Sequence, residues 1–240
     1  MLLPTFPSSM DASAKKSMAR KYYPIHLSLR GKCCVLVGFG RVGQRKLQRL
    51  LAMGSFGPAS IMVFDPQIKE VPKAPNLTVY QQTLDETCID RADIVFACTN
   101  DPHENARICA LCRAKHVLCN AASDPDNGDV ALPAIIDADP LCLTLSTQGT
   151  SPALAKKWRK ELEVWAASKH AMLCCMARLR PLLVATMSSE ENAALFTTLA
   201  NGPLETYLHQ GETAKALQYL TTHLPPHLKD VLPEIVNDLT

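Results

Sequence analysis

Short apolar runs alternate with longer mixed stretches between Tyr22 and Asn120. The runs Cys33–Val37, Ile61–Phe64, Leu77–Tyr80, Ile94–Ala97 and Val117–Cys119 are flanked by Gly, Pro, Asn and Asp, and predict buried strands. Val42–Met53 and Glu104–Lys115 repeat their apolar positions every three or four residues, the spacing of an amphipathic helix. Strand and helix in alternation predict an α/β fold, a parallel sheet with helices on both faces. After Asn120 the pattern changes. Ser123–Asp129 is a polar loop rich in turn formers. Two short strands are expected at Val130–Leu132 and Leu141–Leu145, joined through Pro133 to Pro140. Ser151 and Pro152 suit the N-cap and first turn of a helix that runs from Ala153 to about Leu179 and ends at Pro181. Breaks near Gly202-Pro203, Gly211 and Pro225-Pro226 divide the remainder into several short helices.

The first strand runs into Gly38-Phe39-Gly40-Arg41-Val42-Gly43, a Gly-x-Gly-x-x-Gly turn that opens a helix. In a Rossmann-type domain the first glycine permits the turn, the second lets backbone approach a pyrophosphate, and the third lets helix and strand pack closely. Strand before, helix after, and Asp65 at the end of the second strand are the context in which this spacing carries meaning. The loop Thr99-Asn100-Asp101-Pro102 falls at the C-terminal edge of the expected sheet, where such folds bind ligands.

Composition narrows the classes. The chain has 240 residues, 47% apolar and 20% charged, which is ordinary for a globular protein that buries a core. A net charge of +2 argues against a dedicated nucleic-acid binder. No apolar run reaches the ~18 residues that span a bilayer. Pro4, Pro7 and Asp11 interrupt the N-terminus, so residues 1–20 read as a disordered tail and not a signal peptide, with Met18 a possible alternative start. Of the 10 cysteines, Cys33, Cys34, Cys98, Cys109, Cys112, Cys119 and Cys142 sit within apolar strand or helix patterns, as small hydrophobes do. Cys109 and Cys112 form a CxxC inside a helix with no second pair, and the seven histidines lack ligand spacing, so no metal site is expected. A reducing cytoplasm is the natural setting.

Lys156, Lys157, Arg159 and Lys160 lie near the start of the long helix, where the helix dipole opposes cations. Two readings stand: a solvated face, or an anion site shared with the Ser146-Thr147-Gln148-Gly149-Thr150-Ser151 loop.

Taken together, these segments resemble one family. Tyr23-Pro24-Ile25-His26-Leu27-Ser28-Leu29-Arg30-Gly31, the glycine turn with Arg45-Lys46, and Phe96-Ala97-Cys98-Thr99-Asn100-Asp101 occur in order. Asn120-Ala121-Ala122-Ser123-Asp124-Pro125, Leu132–Asp137 and Ser146–Ala155 follow. The chain is similar, from about Tyr22 to Leu162, to the precorrin-2 dehydrogenase and sirohydrochlorin ferrochelatase family, the N-terminal module of siroheme synthase. The resemblance leaves no room for the methyltransferase that follows in trifunctional members, and covers the region after about Arg178 only as a helical tail.

The resemblance implies NAD-dependent oxidation of precorrin-2 to sirohydrochlorin by a cytoplasmic homodimer, with neither nucleic acid nor membrane as partner. It implies a tail (1–20), an NAD-binding Rossmann domain (21–120), a dimerisation segment with a substrate loop (121–150) and a helical domain (151–240). Gly38, Phe39, Gly40, Arg41 and Val42 would meet the pyrophosphate. Asp65, Pro66 and Gln67 would lie along the ribose, and Thr99 and Asn100 beside the nicotinamide. Ser146, Thr147, Thr150, Ser151, Lys156 and Lys157 would meet the substrate's eight carboxylates. At one position the chain departs from the family: the aspartate proposed there as general base is Ser123 here. A serine hydroxyl is a weak base near neutral pH without an activating partner. Asp124 and Asp129 are the nearby substitutes, so dehydrogenase activity is expected with ferrochelatase activity weak or absent. The alternatives are a non-catalytic tetrapyrrole-binding or NAD-sensing protein of the same fold, and a dehydrogenase of another substrate.

Overall fold

All five apolar runs of the first half become strands of one parallel sheet in a computed structural model that describes residues 22–124 and 127–238. The strands are β1 (Cys33–Val37), β2 (Ser60–Phe64), β3 (Leu77–Tyr80), β4 (Ile94–Ala97) and β5 (Leu118–Ala121), in the order β3-β2-β1-β4-β5. Both faces of the sheet are covered, which is why its strands are apolar at nearly every position. Val35, Val37, Val95 and Ala97 point to one face, where Ile108, Cys109 and Cys112 of α2 (Pro102–Ala114) pack. Cys34, Leu36, Ile61, Val63 and Phe96 point to the other, against Leu47 and Leu50 of α1 (Arg41–Ala52). β1 is central, and its register pairs Val37 with Phe64 on one side and Ala97 on the other. Three strand ends therefore open onto one edge.

The chain divides into two compact units, one through Leu132 and one from Pro133, so the segment expected at 121–150 is shared between them. The second unit begins with an antiparallel pair, β6 (Ala134–Ala138) and β7 (Leu141–Leu145), turning at a cis Asp139-Pro140 peptide. A strand expected at Val130–Leu132 is absent. The N–H groups of Asp129 and Val130 both donate to the Cys119 carbonyl, at 2.8 and 3.0 Å, so this segment is held at the end of β5. Pro133 then precedes the true partner of β7.

The single long helix expected from Ala153 is two helices, α3 (Pro152–Ala167) and α4 (His170–Val184). Ser168 Oγ donates to the Trp165 carbonyl at 2.7 Å and the Lys169 N–H turns back to Ala166 at 3.0 Å, which closes α3. Pro181 does not end α4 but sits inside it. Leu179 and Leu183 on either side are fully buried, and their packing holds the helix across the missing hydrogen bond. Ser151 caps α3 by accepting from the Leu154 N–H, with Pro152 in the first turn, as the sequence indicates. Helices α5 (Ser189–Asn201), α6 (Leu204–His209), α7 (Thr213–His223) and α8 (Leu232–Asn237) complete a leucine-rich core with α4. Cys142 lies on β7 but is exposed, whereas the other cysteines of the apolar patterns are buried or half-buried. The tail expected at residues 1–20 lies outside the described residues.

Candidate functional site

Where β1 ends, Gly38 takes a φ of +91°. A Cβ there would lie 2.6 Å from the carbonyl carbon and oxygen of Cys98, so both conformation and space require glycine. Gly43 is buried against the same turn, and a Cβ on it would stand 2.1 Å from the Gly38 carbonyl oxygen. Gly40 differs. A Cβ there would find only Asn100 Oδ1 within 4 Å, at 3.9 Å, so no packing in the protein calls for a glycine. It leaves open backbone at the start of α1, where no side chain caps the helix and no acidic residue occupies the first turn. That is the arrangement in which main-chain N–H groups receive an anion.

A cleft of about 300 Å³ lies along the edge, bordered by Gly38, Gly40, Asp65, Pro66, Thr99 and Asn100. These are six of the ten residues that sequence reasoning assigned to a dinucleotide. Asp65 at the end of β2 accepts from the Phe39 N–H at 2.6 Å through one oxygen and from the Gln67 N–H at 2.7 Å through the other. Phe39 and Gln67 thus belong to the same backbone arrangement. Arg41 and Val42 are exposed on the first turn of α1. A carboxylate offers about four lone-pair sites, so Asp65 keeps capacity for ribose hydroxyls while bracing the turn. The residues present fit a dinucleotide.

The Thr99 side of the cleft is held by a residue that the sequence reading missed. Asn105 of α2 is 1% exposed. Its Oδ1 accepts from the Thr99 N–H at 3.0 Å and lies 2.8 Å from Thr99 Oγ1, and its Nδ2 donates to the Thr99 carbonyl at 3.0 Å and to Ser123 Oγ at 3.0 Å. Lys46 was also missed. It is a buried cation on α1 whose Nζ donates to Asn120 Oδ1 at 2.7 Å and stands 5.4 Å from the centre of the Phe96 ring. Asn120 in turn donates to the Val130 carbonyl at 2.6 Å. Burial lowers the Lys46 pKa. The Cys98 thiol beneath the cleft is pushed up to about 11, also by burial, and stays protonated at neutral pH. Both missed residues had a signal: each is a lone polar side chain on the buried stripe of an amphipathic helix.

Ser123, Asp124 and Asp129 are exposed on the segment after β5. Asp124 accepts from Asn127 Nδ2 at 2.6 Å. Among the described residues, no group of three or more His, Cys, Asp or Glu side chains is placed to hold a metal ion.

The other six candidates belong to the second unit. Thr147 Oγ1 accepts from the Ser151 N–H at 3.3 Å, Ser146 Oγ accepts from the Gln148 N–H at 3.1 Å, and the Thr150 N–H returns to the Thr147 carbonyl at 2.9 Å. The loop is braced by its own hydroxyls. Lys156 and Lys157 are exposed at the start of α3, and Lys157 lies 3.8 Å from Glu161.

Residues 25–134 match a family model described as "Putative NAD(P)-binding". Siroheme synthase of Enterobacter sp. (strain 638) is 35% identical over 142 residues, 59% of this chain and 31% of that protein. Siroheme synthases of Escherichia coli O157:H7 and Shigella boydii serotype 18 are 34% identical over the same shares. The chain thus spans about a third of the length of the curated relatives it matches. A solved structure titled "SirC, precorrin-2 dehydrogenase" shares the fold with a TM-score of 0.61 and 21% identity, over 82% of this chain and all of that one. No helix among the described residues is long and apolar enough to cross a membrane. The chain is thus similar over 59% of its length to siroheme synthases, and over residues 25–134 to a putative NAD(P)-binding domain.

Proposed function

We propose that this protein is an NAD-dependent dehydrogenase that oxidises precorrin-2 to sirohydrochlorin. The observation that carries the reading is the cleft in which Gly38, Gly40, Asp65 and Thr99 meet at three strand ends. The similarity to siroheme synthases and the shared fold with a precorrin-2 dehydrogenase support the substrate. Bound NAD would supply the hydride acceptor. The turn at Gly38–Gly43 would seat its pyrophosphate, and the Asp65 carboxylate would favour a free 2′-hydroxyl over a 2′-phosphate by charge. Thr99 and Asn100 would border the nicotinamide. The hydroxyls of Ser146, Thr147, Thr150 and Ser151, with Lys156 and Lys157, would meet substrate carboxylates as charge-assisted partners. Oxidation releases a hydride and a proton, and Asp124 and Asp129, the carboxylates that follow Ser123 in the chain, are the candidates to accept the proton. Without a carboxylate at Ser123, ferrochelatase activity is expected to be weak or absent.

A homodimer fits the second unit. Leu154, Trp158 and Trp165 are exposed on one side of α3 at 42, 41 and 49%, and among the described residues the β6–β7 ribbon pairs with no further strand. A cytoplasmic setting suits the free thiols.

Ser123 also favours a second reading, a tetrapyrrole-binding protein without turnover. Anaerobic incubation of purified protein with NAD and precorrin-2 separates the two. Growth of NADH absorbance with the sirohydrochlorin spectrum is the expected outcome. Binding of both ligands without either signal would leave the non-catalytic reading.

A further inference from the structure

We infer that Asn105 fixes Ser123 as a hydrogen-bond donor to the substrate, an anchor for one of its carboxylates, and removes it from the role of proton acceptor. The inference rests on the proposed function for the identity of the substrate, but its geometry does not.

The orientation of the Asn105 amide is decided by the backbone of Thr99. A main-chain N–H can only donate and a main-chain carbonyl can only accept. The Thr99 N–H at 3.0 Å therefore requires Oδ1, and the Thr99 carbonyl at 3.0 Å requires the NH₂ group. Turning the amide over would set N–H against N–H and oxygen against oxygen. At 1% exposure no solvent would relieve that. One N–H of the amide is then used by Thr99, and the other faces Ser123 Oγ at 3.0 Å. Ser123 Oγ must accept.

Acceptance occupies a lone pair of the hydroxyl and leaves its hydrogen to turn outward from the exposed Ser123 side chain. An oxygen that already receives an N–H is a poorer base and a better donor. The partner that such a donor suits is an acceptor-only group, and an ionised carboxylate is one. Asn105 also holds both polar groups of the Thr99 peptide, on the wall of the cleft. One buried amide thus ties the cleft wall to the substrate anchor. Asn105 is a positioning residue that acts through Ser123 and Thr99.

The experiment compares wild type, Ser123→Ala, Ser123→Asp and Ser123→Asp with Asn105→Ala, by thermal melting across pH and by steady-state kinetics with NAD and precorrin-2. A carboxylate at 123 would accept the waiting N–H. Ser123→Asp should therefore melt no lower than wild type at neutral pH and lose stability as the carboxylate protonates in acid, a loss that adding Asn105→Ala abolishes. Should the double variant not fold, the pH series of Ser123→Asp alone decides. Ser123→Ala should raise the KM for precorrin-2 several-fold and leave the pH profile of kcat unchanged. Loss of turnover in Ser123→Ala together with a limb of that profile would make Ser123 the proton acceptor and overturn the inference. A Ser123→Asp protein less stable at neutral pH than in acid would overturn the amide orientation. If wild type does not oxidise precorrin-2, the proposed function fails while the melting series still tests Asn105.

Discussion

Gly38 and Gly40 stand two residues apart in one turn and answer to different demands. At Gly38 the protein itself excludes a side chain, through a positive φ and the Cys98 carbonyl at 2.6 Å from any Cβ. Gly38→Ala should cost about 2–4 kcal/mol in urea unfolding, from left-handed backbone and overpacking together. At Gly40 the nearest atom that an added Cβ would meet beyond its chain neighbours is Asn100 Oδ1, at 3.9 Å. Gly40→Ala should stay within about 1 kcal/mol of wild-type stability, the scale of an N-cap change. Its NAD affinity, measured by calorimetry, should fall at least about tenfold, which is about 1.4 kcal/mol. Lys46 is tested by pH. Burial holds its pKa in the folded protein below the ordinary 10.5. Between the two values the unfolded chain binds the proton more tightly than the native one, so stability rises with pH through that window. Lys46→Met should flatten the rise in a series of melting temperatures taken on the alkaline side up to about pH 10.5, the ordinary value for lysine.

At the scale of elements, the sheet was legible because its central strands β1 and β4 are buried on both faces and read as unbroken apolar runs. The glycine turn was legible for a related reason: its spacing records two close approaches of backbone. Val130–Leu132 misled, since its apolar character serves the end of β5 and Pro133 hides the strand that follows. The break at Ser168 left no mark in the periodicity, because α3 and α4 each keep a helical pattern up to it. Asn105 and Lys46 stood out as polar residues on apolar stripes, but their partners at Ser123 and Asn120 lie 18 and 74 residues away, beyond any local pattern. Pro181 predicts a helix end from sequence, yet α4 runs through it. Pro181→Ala restores a main-chain donor on an exposed face, and should raise stability by about 1–3 kcal/mol in chemical denaturation.

For the whole molecule, the two units have separate cores and separate duties in the proposed reaction. The first carries the dinucleotide cleft with Asn105 and Ser123, and the second carries the hydroxyl loop, the basic start of α3 and the exposed tryptophans. If the proposed homodimer forms through α3, Trp158→Glu with Trp165→Glu should leave a monomer in light scattering where wild type is dimeric. The circular dichroism of the variant should match wild type, since neither ring belongs to the buried core.

The bonds from the Phe39 and Gln67 N–H groups to Asp65 have a kinetic consequence. The ordering entropy of the glycine turn is met when the chain folds, before a cofactor arrives. A site prepared in this way has no loop to arrange after encounter. In stopped-flow mixing, the observed rate of NAD association should therefore climb in a straight line with NAD concentration, with no plateau from a slow rearrangement.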